Sequence, residues 1–452
     1  MLYLHYPIII GGDVNFTPLI ENLDITLKHI ENEHFKCEHK GDKASFTRDR
    51  VFTIKNLIIF FLTQLQRSIQ RELLDFIEAL RENRADLSGV SAAAFSKARK
   101  KLKYTAFVEL NDVYVTNHYR LSENVLIWKD YRLFAVDGST AEVPNSKEMI
   151  NLWGTFKQRA DGKKICMSRI VQVFDVLNKL TIKGDIDSIN TSESELFWKM
   201  LPQLANYPQL ETHRDLYIFD RLYASHDLIF YLDAINKDFC FRMKKNWWKV
   251  TEAFYNSGSQ SQIVTLTLPT KNNLRANELG IIHRSIDVRL VRIELESGET
   301  EILLTSLLDE QNVTLEDLKE LYGLRWPVET TYRHLKHKVK LENFSGKSEN
   351  GIKQDYFVKI MILNIAVSVA NPIDDLLRQQ PKKVFTHQVN LTNAIGIIKK
   401  GVVDWFMRGK IRESLSAIIQ FLLKTTEPIR KDRKFPRPKI PKTKYHRNYA
   451  QV

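Results

Sequence analysis

Cysteine is scarce in this chain of 452 residues: Cys37, Cys166 and Cys240 are the full set, widely separated and without a CxxC pair. That excludes a disulfide framework and a cysteine zinc site, and it suits a reducing compartment. Long hydrophobic runs are missing as well. The longest, Leu57 to Leu62, falls far short of the roughly 20 residues that span a bilayer. The opening segment, MLYLHYPIIIGGD, has an apolar run with no basic region ahead of it, unlike a secretory signal. The expectation is a cytoplasmic protein with no membrane partner. No internal repeat is visible.

Positive charge is what the chain has in excess. Lys plus Arg outnumber Asp plus Glu by 67 to 54, for a formal charge of +13 and a pI near 9.3. So large and basic a chain suits a polyanionic partner, because neutralising phosphates releases condensed counterions. A soluble enzyme that happens to be basic has the same composition, so charge alone leaves both readings open. The hydrophobic share of 43% is enough for a sizeable core. At about 150 residues per domain, two to four structural units are expected.

Apolar residues recur at helical spacing through residues 51–83. After a break at NRADLSG comes VSAAAFSKARKKL, where Phe95, Ala98 and Leu102 line one side and Lys97, Arg99, Lys100, Lys101 and Lys103 crowd the rest. Two helices joined by a glycine-containing turn, the second strongly basic, fit either a DNA-reading pair or a solvated helix in a bundle. From Tyr131 the texture changes to strands. RLFAV runs into Asp137, RIVQVFDVL and LTIKGDI flank Asn178-Lys179 as a hairpin, and LYIF ends at Asp220. Two carboxylates thus sit at the ends of buried strands, where α/β sheets often place active-site groups.

Residues 239–310 are rich in strand formers. Ile286, Val288 and Leu290 alternate, then the pattern slips to Val291, Ile293 and Leu295, a slip that predicts a β-bulge. Thr314 with Asp317 predicts a capped helix, and Pro327 predicts the start of a second. On the second helix, Glu329, Arg333 and Lys336 share a face at 3.6 residues per turn, with Glu329 and Lys336 roughly 10 Å apart along the axis. DYFVKIMILNIAVSVA predicts a buried helix. The segment Lys424 to Val452 holds ten Lys or Arg, two acids and four prolines, which fits either a solvated tail or a phosphate contact.

Magnesium prefers hard oxygen ligands and usually takes few carboxylates, which leaves room for water and a substrate phosphate. Two such ions serve hydrolysis and transesterification at phosphorus, one at the attacking oxygen and one at the leaving oxygen. Asp137, Asp220 and Glu329, from two strand ends and a helix, suit that chemistry. Pattern alone also allows turn and surface acids. The segment Tyr322-Gly-Leu-Arg325-Trp-Pro-Val-Glu329-Thr-Thr-Tyr-Arg-His-Leu-Lys336 matches Y-x2-R-x3-E-x6-K without a gap. It resembles the signature of the IS-four family of bacterial insertion-sequence transposases, of the DDE group with an RNase H-like catalytic fold. VDGST (136–140) and FDRLYAS (219–225) resemble the family's two aspartate blocks. VSAAAFSKARKKL resembles its upstream helical segment, LENFSGKSENGIKQDYFVKIMILN the stretch after the glutamate, and KFPRPKIPKTKY its basic end. The likeness covers roughly residues 85–445.

The resemblance implies that Asp137, Asp220 and Glu329 hold two Mg²⁺ ions, with Mn²⁺ an alternative, and that Tyr322, Arg325 and Lys336 meet phosphates beside the cut. Arg333, Lys97, Arg99 and Lys100 join them as DNA contacts. Trp247 or Trp248 would hold a flipped base, although plain sheet packing also accounts for both. The implied fold is α/β: an RNase H-like catalytic core interrupted by a β-rich insertion, with flanking helical regions. The layout is 1–65 unassigned, 66–125 helical and DNA-binding, 126–238 core, 239–310 insertion, 311–375 core with the glutamate helix, and 376–452 helical with a basic tail. The implied activity is two-metal hydrolysis at transposon ends and strand transfer into target DNA, by a homodimer synapsing two ends in the bacterial nucleoid. A catalytically silent DNA-binding descendant and a nuclease without strand transfer are the rivals. Two features depart from the family pattern or fall outside it: Leu222 stands where glycine is common, and the first 60 or so residues match nothing. His334 and His337, flanking the signature lysine, read as exposed or phosphate-facing helix residues rather than a metal pair.

Overall fold

The computed structural model describes residues 15–47, 51–63, 68–81, 90–122, 125–157, 164–205, 213–294, 298–379 and 385–430. The apolar opening segment, the NRADLSG break at 83–89 and the basic end from residue 431 lie outside them.

Nine strands build one sheet: β1 (Tyr131–Glu142), β2 (Thr155–Lys157), β3 (Lys164–Asp175), β4 (Leu180–Ser188), β5 (Arg214–Phe219), β6 (Asp238–Met243), β7 (Ser261–Thr267), β8 (Ser285–Glu294) and β9 (Thr300–Thr305). Their order is β2-β3-β1-β5-β6-β9-β8-β7, with β4 also on β3. The neighbours β1, β5 and β6 are parallel and every other pairing is antiparallel. The fold is mixed α/β on a mostly antiparallel sheet.

The apolar runs behave as their composition demands. Residues 215–219 of β5 and 132–136 of β1 are buried, as strands covered on both faces must be. The Asn178-Lys179 hairpin forms, with Lys179 at a positive φ of 59° in the turn. Two expectations need correcting. β1 does not stop at Asp137: it continues to Glu142 against β3, whereas its parallel pairing with β5 ends at Val136↔Phe219. Nor does β8 bulge. Its pairings with β7 and β9 run without a shift, and the alternation slips because residues 288–291 are buried in succession. The irregular register lies at Val173/Phe174, between β3 and β4.

A buried ion network fixes the register that matters most. Arg132 and Asp215 pair across β1 and β5, with Nε to Oδ1 at 2.7 Å, and Lys237 Nζ donates to the other Asp215 oxygen at 2.6 Å. All three side chains are at most 1% exposed. Removing one partner from such a group typically costs about 3–5 kcal/mol, because a charge is left uncompensated. A one-residue slip, which would turn the strand's side chains to the other face, is therefore strongly disfavoured.

Helices cover the sheet and continue beyond it. Glu193–Ala205 packs on β3 and β4, and Thr105–Leu121 packs on β4 and on the long helix Glu349–Gln379. That long helix passes a length-and-hydropathy test for a membrane span, yet 89% of its apolar window is buried inside the protein. N-terminal helices such as Ile54–Leu62 meet Glu349–Gln379 and Leu391–Arg408, and one apolar cluster runs from Phe16 to Leu422. Between β6 and Thr305, the chain forms the helix Lys249–Ser257, β7, a short helical stretch, then β8 and β9. This segment is mixed rather than all strand, and its three strands extend the same sheet through β9 on β6.

The capping box forms as expected: Thr314 Oγ1 accepts from Asp317 N, and Asp317 Oδ2 accepts from Thr314 N. Pro327 opens the next helix, Pro327–Arg333, which then widens into a π turn at His334–Lys338.

Candidate active site

Asp137 and Asp220 each lie one step past the final β1–β5 pair, Val136↔Phe219. Paired positions on adjacent strands share a face, so the two aspartates stand side by side where the parallel pairing stops. Asp220 also turns the chain: its Oδ1 accepts from Arg221 N at 2.7 Å and opens the short turn Arg221–Tyr223. Leu222 is 63% exposed in that turn, so its side chain meets no steric demand from the core.

The glutamate helix is docked on β1 by two bonds. Tyr332, 5% exposed, donates its hydroxyl to the carbonyl oxygen of Asp137 at 2.5 Å. Lys336 Nζ donates to Ser139 Oγ at 2.8 Å. Lys336 belongs to the π turn, so the even 3.6-residue face expected for Glu329, Arg333 and Lys336 does not hold. Arg333 is exposed and donates to Thr330 Oγ1 at 3.0 Å, while Glu329 and Lys336 are half-buried. Pi turns often accompany functional sites.

Arg325 joins the three elements electrostatically. Its Nη1 lies 3.9 Å from Asp137 Oδ1 and its Nη2 lies 3.4 Å from Glu329 Oε1. Its charge also acts on Asp220. The Asp137 carboxyl is pushed up to about 6 by burial, against the pull of Arg325, with Glu193 and Glu329 adding to the rise. Arg325 is 5% exposed, and among the described residues its Nε has no hydrogen-bond partner; nor does the hydroxyl of Tyr322, which is 7% exposed. Buried donors are normally satisfied, so two unmet ones beside three carboxylates suit an anionic oxygen ligand. The carboxylates are hard donors of the kind Mg²⁺ takes. Yet among the described residues no three acidic, histidine or cysteine side chains are drawn together closely enough to hold an ion. Arg325 stands between Asp137 and Glu329 instead.

A family model of the transposase DDE domain matches residues 128–365, more than half of the chain. The chain belongs to the transposase DDE-domain family. The matched span contains both aspartates, the glutamate and the whole Tyr322–Lys336 segment. A cryo-EM structure of the piggyBac transposase synaptic complex with hairpin DNA is similar at a TM-score of 0.47 and 12% identity, over 89% of this chain and 85% of that one. No curated protein matches.

The remaining residues singled out in this transposase separate by exposure. Lys97 and Lys100 are exposed on and just after the helix Ala92–Arg99. Arg99 is not, and its placement at DNA needs correcting. It is 6% exposed, donating to Gln354 Oε1, Ser345 Oγ, Gly351 O and Asp355 Oδ1 at 2.8–3.1 Å. It ties the basic helix to the start of Glu349–Gln379. Trp248 is half-buried and stacks on His226, ring centroids 3.9 Å apart, whereas Trp247 is 41% exposed with Lys244 over its ring. His334 is half-buried and His337 exposed; burial pushes His334 down to about 4.

Two groups at the site escaped the sequence reading. Trp326 is 57% exposed beside the Arg325 guanidinium, 5.3 Å from its ring centroid. Glu193, at the start of its helix, acts electrostatically on Asp137 and pairs with Arg169 at 2.9 Å. The available signal for Glu193 was the glycine after Asp137, because a glycine inside a strand often marks a close approach.

Proposed function

We propose that this transposase cuts and joins phosphodiester bonds at the ends of its mobile element, using divalent cations held by Asp137, Asp220 and Glu329. The observation that carries the proposal is that two aspartates stand side by side where the parallel β1–β5 pairing stops, with the glutamate helix bonded onto β1. Two bound Mg²⁺ or Mn²⁺ ions would supply charge stabilisation for the attacking and leaving oxygens. The chain's own residues do the rest. Tyr332 and Lys336 hold the glutamate helix against β1. Arg325 and Tyr322 turn their unmet donors to a substrate phosphate, and a guanidinium forks well onto phosphate oxygens. Arg325 thus balances the carboxylates before DNA arrives and grips phosphate afterwards.

The finer assignment is also ours. The Tyr322–Lys336 signature supports membership in the IS-four group. The strand order β4-β3-β1-β5-β6, with its parallel half at β1, β5 and β6, supports an RNase H-like core, with β7–β9 as the insertion. Exposed Lys97, Lys100 and Arg333 are the phosphate contacts, and Trp247 has the exposure that stacking on an unpaired base requires. The acting form is a homodimer holding two DNA ends.

The test offers the protein duplex DNA carrying the flanks of its own gene, plus a second plasmid, in Mg²⁺ or Mn²⁺. Cut 3′ ends joined to the plasmid support transposition. Cutting without joining favours a nuclease, and binding without cutting favours a silent DNA-binding descendant.

A further inference from the structure

Lys359 lies on the long helix Glu349–Gln379 and is 4% exposed. A buried ammonium is costly and usually finds a carboxylate. This one donates instead to three backbone carbonyls of a single link: Lys340 at 3.1 Å, Leu341 at 3.2 Å and Asn343 at 2.9 Å. Asp355, one turn earlier on the same helix, acts on Lys359 electrostatically but spends its oxygens elsewhere. They accept from Ser345 N at 2.6 Å, Gly346 N at 3.1 Å and Arg99 Nη2 at 3.1 Å. The cation thus takes carbonyls, and the anion takes amides, of the same stretch, residues 340–346.

That stretch follows directly on the π turn His334–Lys338. Val339 N closes the turn by donating to His334 O at 3.0 Å, five residues back, and Leu341 N donates to Leu335 O at 2.8 Å. Between them Lys340 has a positive φ of 52°, an unfavourable conformation for a residue with a side chain. Leu341 is therefore bonded at both ends of its backbone: its N–H reaches the π turn and its C=O reaches Lys359. A π turn is a rare geometry beside the regular α-helix, so what holds it matters. The widened turn sets the angle at which Lys336 leaves the helix, and hence its bond to Ser139 Oγ at 2.8 Å.

Resting on the DNA-cutting reading above, we propose that Lys359 is a positioning residue for the reaction: it holds the π turn through the Leu341 peptide and so aims Lys336 at Ser139, beside Asp137. Asp355 steadies the far end of the same link, and through Arg99 it fixes the basic helix Ala92–Arg99 to that link as well. A residue that merely satisfies buried carbonyls would stabilise the fold without acting through Lys336. The two roles differ in how much the loss of Lys359 costs once Lys336 is gone.

The experiment is a double-mutant cycle on the full-length protein. It reads single-turnover cleavage of end-bearing DNA in Mg²⁺, at saturating DNA and at a temperature where melting curves show every variant folded. Lys359→Met should slow cleavage about tenfold to a hundredfold. In the Lys336→Ala background the same change should cost less than about twofold, because the side chain it aims is absent. Losses that multiply would make Lys359 a packing residue and overturn the proposal, as would wild-type cleavage by folded Lys359→Met. Should Lys359→Met not fold, Lys359→Gln, which keeps a donor for the carbonyls, takes its place in the same cycle. In either overturning case a wild type that cuts leaves the DNA-cutting reading standing. A wild type that cuts no better than Glu329→Gln would end that reading, and this proposal with it.

Discussion

Arg132 and Asp215 pair across β1 and β5 five residues ahead of Asp137 and Asp220 on their respective strands. The same cross-strand register that closes this buried ion pair sets the two aspartates level. Buried charges thus set Asp137 and Asp220 level. Asp215→Ala leaves Arg132 and Lys237 buried without their acceptor. It should cost about 3–5 kcal/mol in denaturant unfolding. Wild-type stability in that variant would remove the ion network as the register pin.

Tyr332 links the glutamate helix to Asp137 through one hydroxyl. Tyr332→Phe keeps the ring and its packing but removes this bond to the Asp137 carbonyl. We expect a loss of about 1–2 kcal/mol in stability, and a fall in cleavage rate without a change in DNA affinity. An affinity loss as large as the rate loss would mean that the helix grips DNA rather than positions Glu329.

The raised Asp137 carboxyl, near 6, has a stability consequence of defined sign. The folded state keeps this proton to higher pH than the unfolded state does. Between about pH 4 and pH 6 the folded form therefore binds more protons, and stability falls as pH rises through that window. In EDTA, Asp137→Asn should melt above the wild type at pH 7, and the gap should close toward pH 4. A pH-independent gap would contradict a titrating Asp137. Added Mg²⁺ should raise the wild-type melting temperature at pH 7 through binding to the folded state.

Exposure divides the basic helix into two roles. Lys97→Ala and Lys100→Ala should each weaken DNA binding across sequences and lower the salt dependence by about one unit of slope. Stability should hardly change. Arg99→Met should do the reverse, because its donors are spent inside the protein, and leaving Asp355 unpaired should cost about 3–5 kcal/mol. Filter binding at several salt concentrations, alongside unfolding curves, separates the two patterns.

Asp137, Asp220 and Glu329 were legible because their signals are local. The apolar runs of β1 and β5 each lead into an acid where their parallel pairing stops, and Pro327 marks the start of the helix that carries Glu329. Thr314, Pro327 and the buried 31-residue helix Glu349–Gln379 were legible for the same reason. Arg99 was not. In a run with four lysines it reads as one more solvated charge, and its partners Gln354 and Asp355 lie some 250 residues further along. Glu193 was hidden by a sound local explanation, the helix dipole, although its carboxylate fills the space over Gly138 in β1. The even spacing of Glu329, Arg333 and Lys336 failed because a π turn changes the helical phase after Arg333. The slip in β8 misled because residues buried on both faces break alternation without an extra residue in the strand.

The most direct measurement is single-turnover cleavage of end-bearing DNA in Mg²⁺ by Asp137→Asn, Asp220→Asn and Glu329→Gln, each shown to bind that DNA as the wild type does. Loss of cleavage by at least about a thousandfold in all three, with the wild type cutting only when the divalent ion is present, is the expected result. Cleavage within about tenfold of wild type by any one of them, or full wild-type cutting in EDTA, would contradict a metal site built on these three carboxylates.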